Sequence, residues 1–206
     1  MNILDLSHAF TSHMPPFPGD PTSELVQTAS VAKDGYTDHR LTTLMHVGTH
    51  IDAPLHMIEG GAYIDELPTE QFFGPGVVLD ARGKTAIDVD LLNGKTIKSG
   101  SIVLLCTGRS KFYATPAYDT EYPKITEAFA KALVKRNVKI IGMDMLNPDV
   151  EPTFPIHKIL LAHPVLIIEN MTNLESLLSV PKFDVVALPM KLHTEGAPVR
   201  VVALIL

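Results

Sequence analysis

The sequence predicts an α/β protein that folds as one domain over residues 1–206. Short apolar and β-branched runs recur along the whole chain, as expected for a protein built on a sheet. From residue 100 onward these runs alternate with helical patterns, which is typical of α/β layers. The 206 residues contain no repeat, low-complexity tract or linker-like stretch that would mark a domain boundary.

Eight runs have the length and composition of β-strands, because each combines Val, Ile, Leu or Thr with flanking turn residues. In chain order the predicted strands are 24–31, 39–47, 76–81, 101–107, 138–144, 164–170, 183–190 and 198–206.

Three segments have helical patterns. The clearest covers 126–137, where an apolar face alternates with basic residues and Asn137 is placed to end the helix. Shorter helices are predicted over 156–162, directly after Pro155, and over 173–178.

The segment MPPFPGDP, residues 14–21, contains four prolines and a Gly-Asp pair, so it is predicted to be a loop. Because proline fixes φ, this loop is expected to be stiff and to hold Phe17 at a defined position.

Composition excludes several classes of protein. The net charge is -6 and no basic run is present, which argues against a nucleic-acid partner. The longest apolar runs are strand-length, so no membrane span is expected. The beginning of the chain, MNILDLSHAF, lacks the features of a secretory signal, and a cytoplasmic location is expected. The single cysteine, Cys106, lies in IVLLC and is predicted to be a buried core thiol.

The strongest chemical signal is MHVGTHIDAPLHM, residues 45–57. It contains four metal-type residues, His46, His50, Asp52 and His56. The first two histidines have the i, i+4 spacing of a helical zinc motif. However, Gly48, Pro54 and the β-branched neighbours oppose a helix, and the glutamate of that motif is missing. The helical motif is therefore rejected.

The positions of these four residues are all even, so along an extended chain their side chains point to one face, while Ile51 points to the other. A straight strand would spread four residues over about 13 Å, too far for two imidazoles to reach one ion. We therefore expect an extended segment that bends at Gly48, the residue free to adopt a positive φ. Pro54 is expected to turn the chain so that His56 comes back toward the site.

Two residues in the second half are further candidates. His157 lies in the helical segment PIHKILLAH, and Glu169 ends the strand PVLIIEN. A carboxylate after four apolar strand residues is costly to bury unless it is paired or coordinating. Taken alone, the position of Glu169 favours an exposed acid at the end of a strand, and a single histidine is more often a structural residue than a ligand.

Other polar residues have less specific settings. Asp144 follows the strand VKIIGM, where sites in α/β folds often gather, and is a weaker candidate. His8 is equally consistent with two roles: it contacts the metal ligands without binding the metal itself, or it caps a turn. The remaining histidines are predicted to be surface or structural residues: His13, His39, His163 and His193.

The motif HVGTHIDAPLH resembles the signature of the metal-dependent cyclase/formamidase family, which includes bacterial kynurenine formamidase and is similar to isatin hydrolase. DLSHAFTSHMPPFPGDP, HKILLAHPVLIIENMTNLESL and ALPMKLHTEGAPVRVVAL resemble the family's N-terminal, second metal-binding and C-terminal blocks. The resemblance thus covers nearly the whole chain. It implies a mixed β-sheet with a barrel-like core and flanking helices, the swivelling β/β/α cyclase-type fold, and a homodimer.

Carried over residue by residue, the resemblance implies that His46, His50 and Asp52 bind one metal ion. Asp52 would also bridge to a second ion held by His157 and Glu169, with Glu169 reaching both ions.

The resemblance also implies roles outside the ligand set. His56 corresponds to the family's catalytic acid/base. Phe17 lies where formamidases carry a tryptophan against the aromatic ring of the substrate, so it keeps a ring but loses area and the indole N–H. The C-terminal block reads KLHTEGAPVR (191–200), where formamidases tend to read like Lys-Ile/Val-x-Gly-x-Asp-Gly-Ser-Pro. Both departures concern the substrate and leave the metal ligands intact.

The implied activity is metal-dependent hydrolysis of an N-formyl arylamine or a cyclic aromatic amide. Imidazole and carboxylate ligands without thiolate suit Zn²⁺ and equally Mn²⁺ or Fe²⁺, with one or two ions per chain. Such an ion lowers the pKa of bound water to about 7, and His56 would serve as the acid/base. Two alternatives stay open: a polyketide-type cyclase or dehydratase, and a metal-binding domain without catalysis.

Overall fold

The computed structural model describes residues 2–12 and 14–206. The strands in this part of the chain are β1 (Asn2–Asp5), β2 (Glu24–Ala29), β3 (Asp38–Thr42), β4 (His50–Asp52), β5 (Phe73–Asp80), β6 (Ala86–Ile87), β7 (Ile102–Cys106), β8 (Lys124–Ile125), β9 (Ile140–Met143), β10 (Leu166–Glu169), β11 (Phe183–Pro189) and β12 (Gly196–Ile205). The α-helices are α1 (Val31–Asp34), α2 (Glu127–Lys135) and α3 (Pro155–Leu161). Short 3₁₀ segments cover Pro54–His56, Ile64–Glu66, Thr69–Phe72, Val89–Leu92, Arg109–Phe112 and Leu174–Leu177.

Among the described strands, seven close into a barrel in the order β12–β11–β5–β7–β9–β10–β4, because β4 pairs with both β10 and β12. The strands β5, β7, β9 and β10 run parallel, and the remaining pairs of the ring are antiparallel. β12 has two partners along one edge: residues 196–198 pair with β4, and residues 202–205 pair with β1. The mixed sheet with a barrel-like core and flanking helices is therefore confirmed.

Alternation along the strands creates two apolar layers. In β7, Ile102, Leu104 and Cys106 belong to a cluster that receives side chains from all seven strands of the ring and fills the barrel. Val103 and Leu105 point the other way and pack with the apolar faces of α2 and α3. The prediction of a buried Cys106 is confirmed, and burial raises the pKa of its thiol to about 12.

The predicted strands agree with the structure within a few residues, except at one place. The run 39–47 was predicted to be one strand, but β3 ends at Thr42 and the chain bends through residues 45–49. That prediction was wrong because β3 pairs only with β2, which begins at Glu24 opposite Thr42, and β propensity alone does not extend a strand beyond its partner. The short strands β1, β4, β6 and β8 were not predicted as strands.

Two of the three predicted helices are confirmed as α2 and α3. The α2 helix begins where Thr126 Oγ1 accepts the N–H of Phe129 at 3.1 Å, and Asn137 lies just beyond its end with φ 52°. The third, 173–178, is a 3₁₀ segment over Leu174–Leu177, so its type was wrong. Among the described residues, no helix is long and apolar enough to cross a membrane.

Two exposed features lie outside the barrel. The hairpin of β2 and β3, with α1 between them, is largely exposed and forms a separate two-stranded sheet. The segment 14–21 has no helix or strand, as predicted, and a turn in it is closed by the N–H of Asp20, which donates to Phe17 O at 2.9 Å.

Candidate metal centre

The 46–56 segment folds back on itself at Gly48, as predicted. Gly48 has φ 68°, and a Cβ added there would lie 2.7 Å from Met14 Cε. The bend brings His46 Nδ1 to 2.8 Å from Asp52 Oδ1, although six positions separate the two residues. After β4, the 3₁₀ turn Pro54–His56 reverses the chain again, so the turn predicted at Pro54 is also confirmed.

The β4 strand presents its polar residues to one face. Ile51 points into the barrel core, so His50 and Asp52 point outward on the opposite face. In the antiparallel pairing with β10, Glu169 lies opposite His50. This register places His50 Nε2 3.3 Å from Glu169 Oε2.

The α3 helix supplies the fifth predicted ligand. His157 Nε2 lies 3.3 Å from Glu169 Oε1 and 3.7 Å from Asp52 Oδ2. We call His157 and Glu169 the distal pair, because both come from more than a hundred residues after Asp52. The structure therefore brings together all five residues that the sequence proposed as ligands.

Two of the imidazoles are oriented by hydrogen bonds on their outer nitrogens. His50 Nδ1 donates to the carbonyl of Gly48 at 2.8 Å, and His157 Nδ1 donates to Asp149 Oδ2 at 2.7 Å. Carbonyl and carboxylate oxygens only accept, so both rings carry a proton on Nδ1, and Nε2 is the nitrogen that faces the centre and can bind an ion once it is deprotonated. This is the usual arrangement of a metal-binding histidine.

Asp149 is a buried site residue that the sequence reading missed. Besides the His157 ring, its carboxylate accepts the backbone N–H groups of Ile156 at 2.8 Å and His157 at 3.0 Å, so it also caps α3. An aspartate shortly before Pro155 at a helix start was a visible signal. From sequence alone it could not be distinguished from an ordinary helix cap.

Asn170 is a second residue that the sequence did not indicate. It connects the bend of the 46–56 segment to the end of β10 by hydrogen bonds. It has φ 55°, and its Nδ2 donates to the carbonyl of Gly48 at 3.1 Å. Its carbonyl accepts from Thr49 Oγ1 at 2.6 Å, and its Oδ1 accepts from Tyr118 OH at 2.8 Å.

Without a cation, the centre is a network of buried ion pairs. Burial lowers the pKa of His50, but Glu169 and Asp52 outweigh this and raise it to about 9. Burial acts likewise on His157, whose carboxylate neighbours hold its pKa well above the usual value. For Asp52 and Glu169 burial favours the neutral form, yet the imidazoles keep both pKa values below the usual range.

The centre leaves several buried polar atoms without a hydrogen bond from the described residues. They are His46 Nε2, His50 Nε2, Asp52 Oδ2 and Glu169 Oε1. Unpartnered buried atoms of this kind are costly, and nitrogen and carboxylate oxygen are donors that Zn²⁺, Mn²⁺ and Fe²⁺ accept. The residues present thus fit a divalent cation.

Ligand atoms form two groups, each within 4.8 Å: one from His46, His50 and Asp52, and one from Asp52, His56 and His157. Asp52 is common to both groups, which agrees with the bridging position implied for it. The second group contains His56, for which the family resemblance implied a catalytic role.

His56 stands beside the ligands on its 3₁₀ turn. Its ring stacks on His46 with centroids 4.0 Å apart, and the His157 ring is 5.6 Å away. Burial lowers the pKa of His56 to about 4, so the imidazole is neutral at pH 7 and has a free lone pair. A neutral imidazole at this place can accept a proton.

A cleft of about 150 Å³ opens over the centre. Phe17, at 36% exposure, lines one side of it, as its predicted role requires. Asp20 from the same turn also lines the cleft, together with Phe154, Met57 and Leu146.

The weaker candidates lie elsewhere. Asp144 is buried and accepts hydrogen bonds from Thr107 and from the N–H of Gly108, so it holds the loop after β7. His8 supports the 46–56 segment through its backbone N–H, which donates to Thr49 Oγ1 at 3.0 Å, and its ring stacks on Tyr113. Of the remaining histidines, His39, His163 and His193 are exposed, as predicted, and His13 lies outside the described residues.

Comparison with known proteins agrees with this geometry. The family model described as "Putative cyclase" matches residues 4–150. A kynurenine formamidase from Salinibacter ruber is 31% identical, over 98% of this chain and 97% of the relative. A solved structure described as a "predicted metal-dependent hydrolase from Bacillus stearothermophilus" is 30% identical with TM-score 0.79, covering 98% of this chain and 97% of that chain.

Isatin hydrolase A from Labrenzia aggregata is 24% identical with TM-score 0.88, over 99% of this chain and 93% of that chain, a likeness that concerns the fold. With a family match over more than half of its residues, the chain belongs to the cyclase family.

Proposed function

We propose that residues 1–206 form a metal-dependent hydrolase that cleaves a non-peptide C–N bond in a small aromatic amide. The observation that carries the proposal is the convergence of five metal-type side chains, with unpartnered buried nitrogen and oxygen atoms, beside a neutral histidine in an open cleft. In this proposal the metal ligands are His46, His50, Asp52, His157 and Glu169. His56 is the general acid/base, and Phe17 contacts the substrate.

The relatives support cleavage of a non-peptide C–N bond. A kynurenine formamidase is 31% identical over nearly the full length of both chains. We infer from it an N-formyl arylamine as the substrate type, with a cyclic aromatic amide as the variant suggested by the isatin hydrolases that share the fold.

The ligand set also suggests the cofactor. One or two divalent ions, Zn²⁺ or alternatively Mn²⁺ or Fe²⁺, fit imidazole and carboxylate donors without thiolate. His46, His50 and Asp52 would hold one ion, and Asp52, His157 and Glu169 the other.

In the proposed reaction, a bound divalent ion supplies Lewis acidity and makes water a nucleophile near neutral pH. His56, which is neutral at pH 7, accepts a proton from the attacking water. As the C–N bond breaks, His56 returns that proton to the leaving nitrogen, so the products are a carboxylic acid and an arylamine. Phe17 and Phe154 on the cleft wall pack against the aromatic ring and orient the carbonyl.

Metal analysis combined with hydrolysis assays tests the proposal. The purified protein should contain one or two divalent ions per chain and should hydrolyse at least one of N-formylkynurenine, formanilide and isatin. Removal of the metal with a chelator should abolish turnover, and adding Zn²⁺ or Mn²⁺ should restore it.

A His56→Ala variant should keep its metal but lose at least about 100-fold in kcat, since an acid/base contributes about 10²–10⁴-fold. His163→Ala, which removes an exposed histidine, is the matched control and should be unchanged. Stoichiometric metal without turnover on any of these compounds would contradict the amide hydrolase and favour a cyclase or a non-catalytic metal protein.

A further inference from the structure

The turn at residues 17–20 places a negative charge at the cleft. Phe17 and Asp20 stand at its two ends and both line the cleft, because the hydrogen bond from the Asp20 N–H to the Phe17 carbonyl closes the turn. Asp20 is exposed, and its carboxylate makes no hydrogen bond or ion pair with another described residue. The carboxylate is therefore available to a ligand.

Positive charge at the cleft belongs to the metal centre, where His157 pairs with Asp52 and Glu169, and Asp20 has no cationic partner of its own among the described residues. Lysine and arginine are absent from the lining that the structure describes, and the walls are formed largely by Phe17, Phe154, Met57 and Leu146. The protein as a whole carries a net charge of -6, which adds to an attractive field for cations. A substrate carboxylate on an arm that reaches the 17–20 turn would meet Asp20 with no lysine or arginine in the described lining to neutralise it.

Building on the proposed function, we propose that the 17–20 turn selects aryl amides whose side chain carries a cationic group and disfavours those that carry a carboxylate. The aromatic ring packs between Phe17 and Phe154, and an ammonium group on a short arm reaches Asp20. Because Asp20 is exposed, its effect is a modest charge preference and not an absolute requirement.

Three matched substrates test this selection, all 2-formamidophenyl ketones with the same ring. The ketone carries a 2-aminoethyl, an ethyl or a 2-carboxyethyl arm, which makes the substrates cationic, neutral and anionic near pH 7. We expect kcat/KM to fall in that order, with about two- to fivefold between neighbours, the range of an exposed charge pair. The spread should shrink as NaCl is raised from 20 to 500 mM, because salt screens exposed charges.

Charge variants assign the preference to Asp20. The ratio of kcat/KM for the cationic over the anionic substrate should drop about two- to fivefold in Asp20→Asn and further in Asp20→Lys. Asp38→Asn, which removes an exposed carboxylate on the β2–β3 hairpin, is the control and should leave the ratio unchanged.

The outcomes separate the two proposals. Turnover of the neutral substrate with equal or higher kcat/KM for the anionic one would overturn the charge selection and leave the hydrolase intact. A cationic preference that is independent of salt and of Asp20 would overturn the role of the turn. Absence of turnover on all three, and also on formanilide and isatin, in metal-loaded protein would overturn the hydrolase as well.

Discussion

The 46–56 segment and the distal pair reach the same point by different physical means. The 46–56 segment relies on backbone conformation, since the positive φ of Gly48 allows His46 to meet Asp52. The distal pair relies on sheet register and on a helix cap, because β10 carries Glu169 opposite His50 and Asp149 holds His157. The comparison shows that half of the centre depends on local geometry and half on tertiary pairing.

Removal of the residue shared by both halves should have the largest effect. Asp52 contacts His46 on one side and faces His157 on the other. We expect Asp52→Ala to lose bound metal altogether and to reduce activity by more than about 100-fold, beyond the range for residues that only support a ligand. Metal content after dialysis and kcat measure this, with Asp90→Ala, an exposed acid, as the control. Full metal content in Asp52→Ala would show that the halves bind independently.

Gly48→Ala should destabilise the bend of the 46–56 segment. Alanine at φ 68° is strained by about 1–2 kcal/mol. Displacement of the flexible end of Met14 adds about 1 kcal/mol, the low end of the range for overpacking. The free energy of unfolding, from urea titration, should therefore fall by about 2–3 kcal/mol. Gly83→Ala has the same strain at φ 71° without any contact within 4 Å, so it should cost only the strain. Equal losses at the two glycines would refute the role of the close approach.

Metal affinity should rise with pH, because a cation must displace protons from the centre. Carboxylate neighbours outweigh burial and hold the pKa of His50 at about 9, so His50 is protonated at pH 7 and loses its proton as pH rises. We expect affinity to increase at least about tenfold per pH unit between pH 7 and 9, then level off. Chelator competition over this range measures the slope. A slope of two protons would mean that His157 titrates as well, and a flat profile would contradict the ion-pair network.

Asp149→Asn should weaken metal binding by the distal pair alone, and we expect it to have the smallest effect of these changes. The amide keeps an oxygen for the α3 cap but loses the charge that orients the His157 ring. Metal affinity should fall by about tenfold or more, as for other partners of metal-binding histidines. Asp88→Asn, which alters an equivalent cap before the Val89–Leu92 segment, controls for loss of capping. Unchanged metal affinity in Asp149→Asn would show that the carboxylate serves only the helix.

The sequence predicted the elements whose signal is local. Buried strands such as β7 and β9 appear as apolar runs, and α2 shows a 3.6-residue period with a capping threonine. The second predicted strand was wrong beyond Thr42 because its partner β2 begins opposite that residue, which local propensity does not reveal. The two-residue strands β6 and β8 form only because they pair with each other, which local propensity does not reveal.

The same distinction applies to the site. Even spacing predicted one face for His46, His50, Asp52 and His56, and β4 confirms it for His50 and Asp52. His46 arrives through the bend at Gly48, and His56 through the turn at Pro54. The settings of His157 and Glu169 made them candidates, but their place in the ligand set came from the family resemblance, because strand register over more than a hundred residues leaves no trace in local spacing. Asp149, Asn170 and Asp20 are cap, turn and loop residues of ordinary appearance, and only the fold shows that they surround the centre.

The position of β4 within a closed ring has a consequence for kinetics. This strand is hydrogen-bonded on both edges, to β10 and β12, so it has no free edge from which to fray. Ligands from β4 and β10 therefore keep their spacing while the ring stays closed. Because the cleft opens over these ligands, an ion can leave and return without opening of the ring. Metal exchange should then be faster than unfolding, and the metal that the protein holds should follow the ions available to the folded chain.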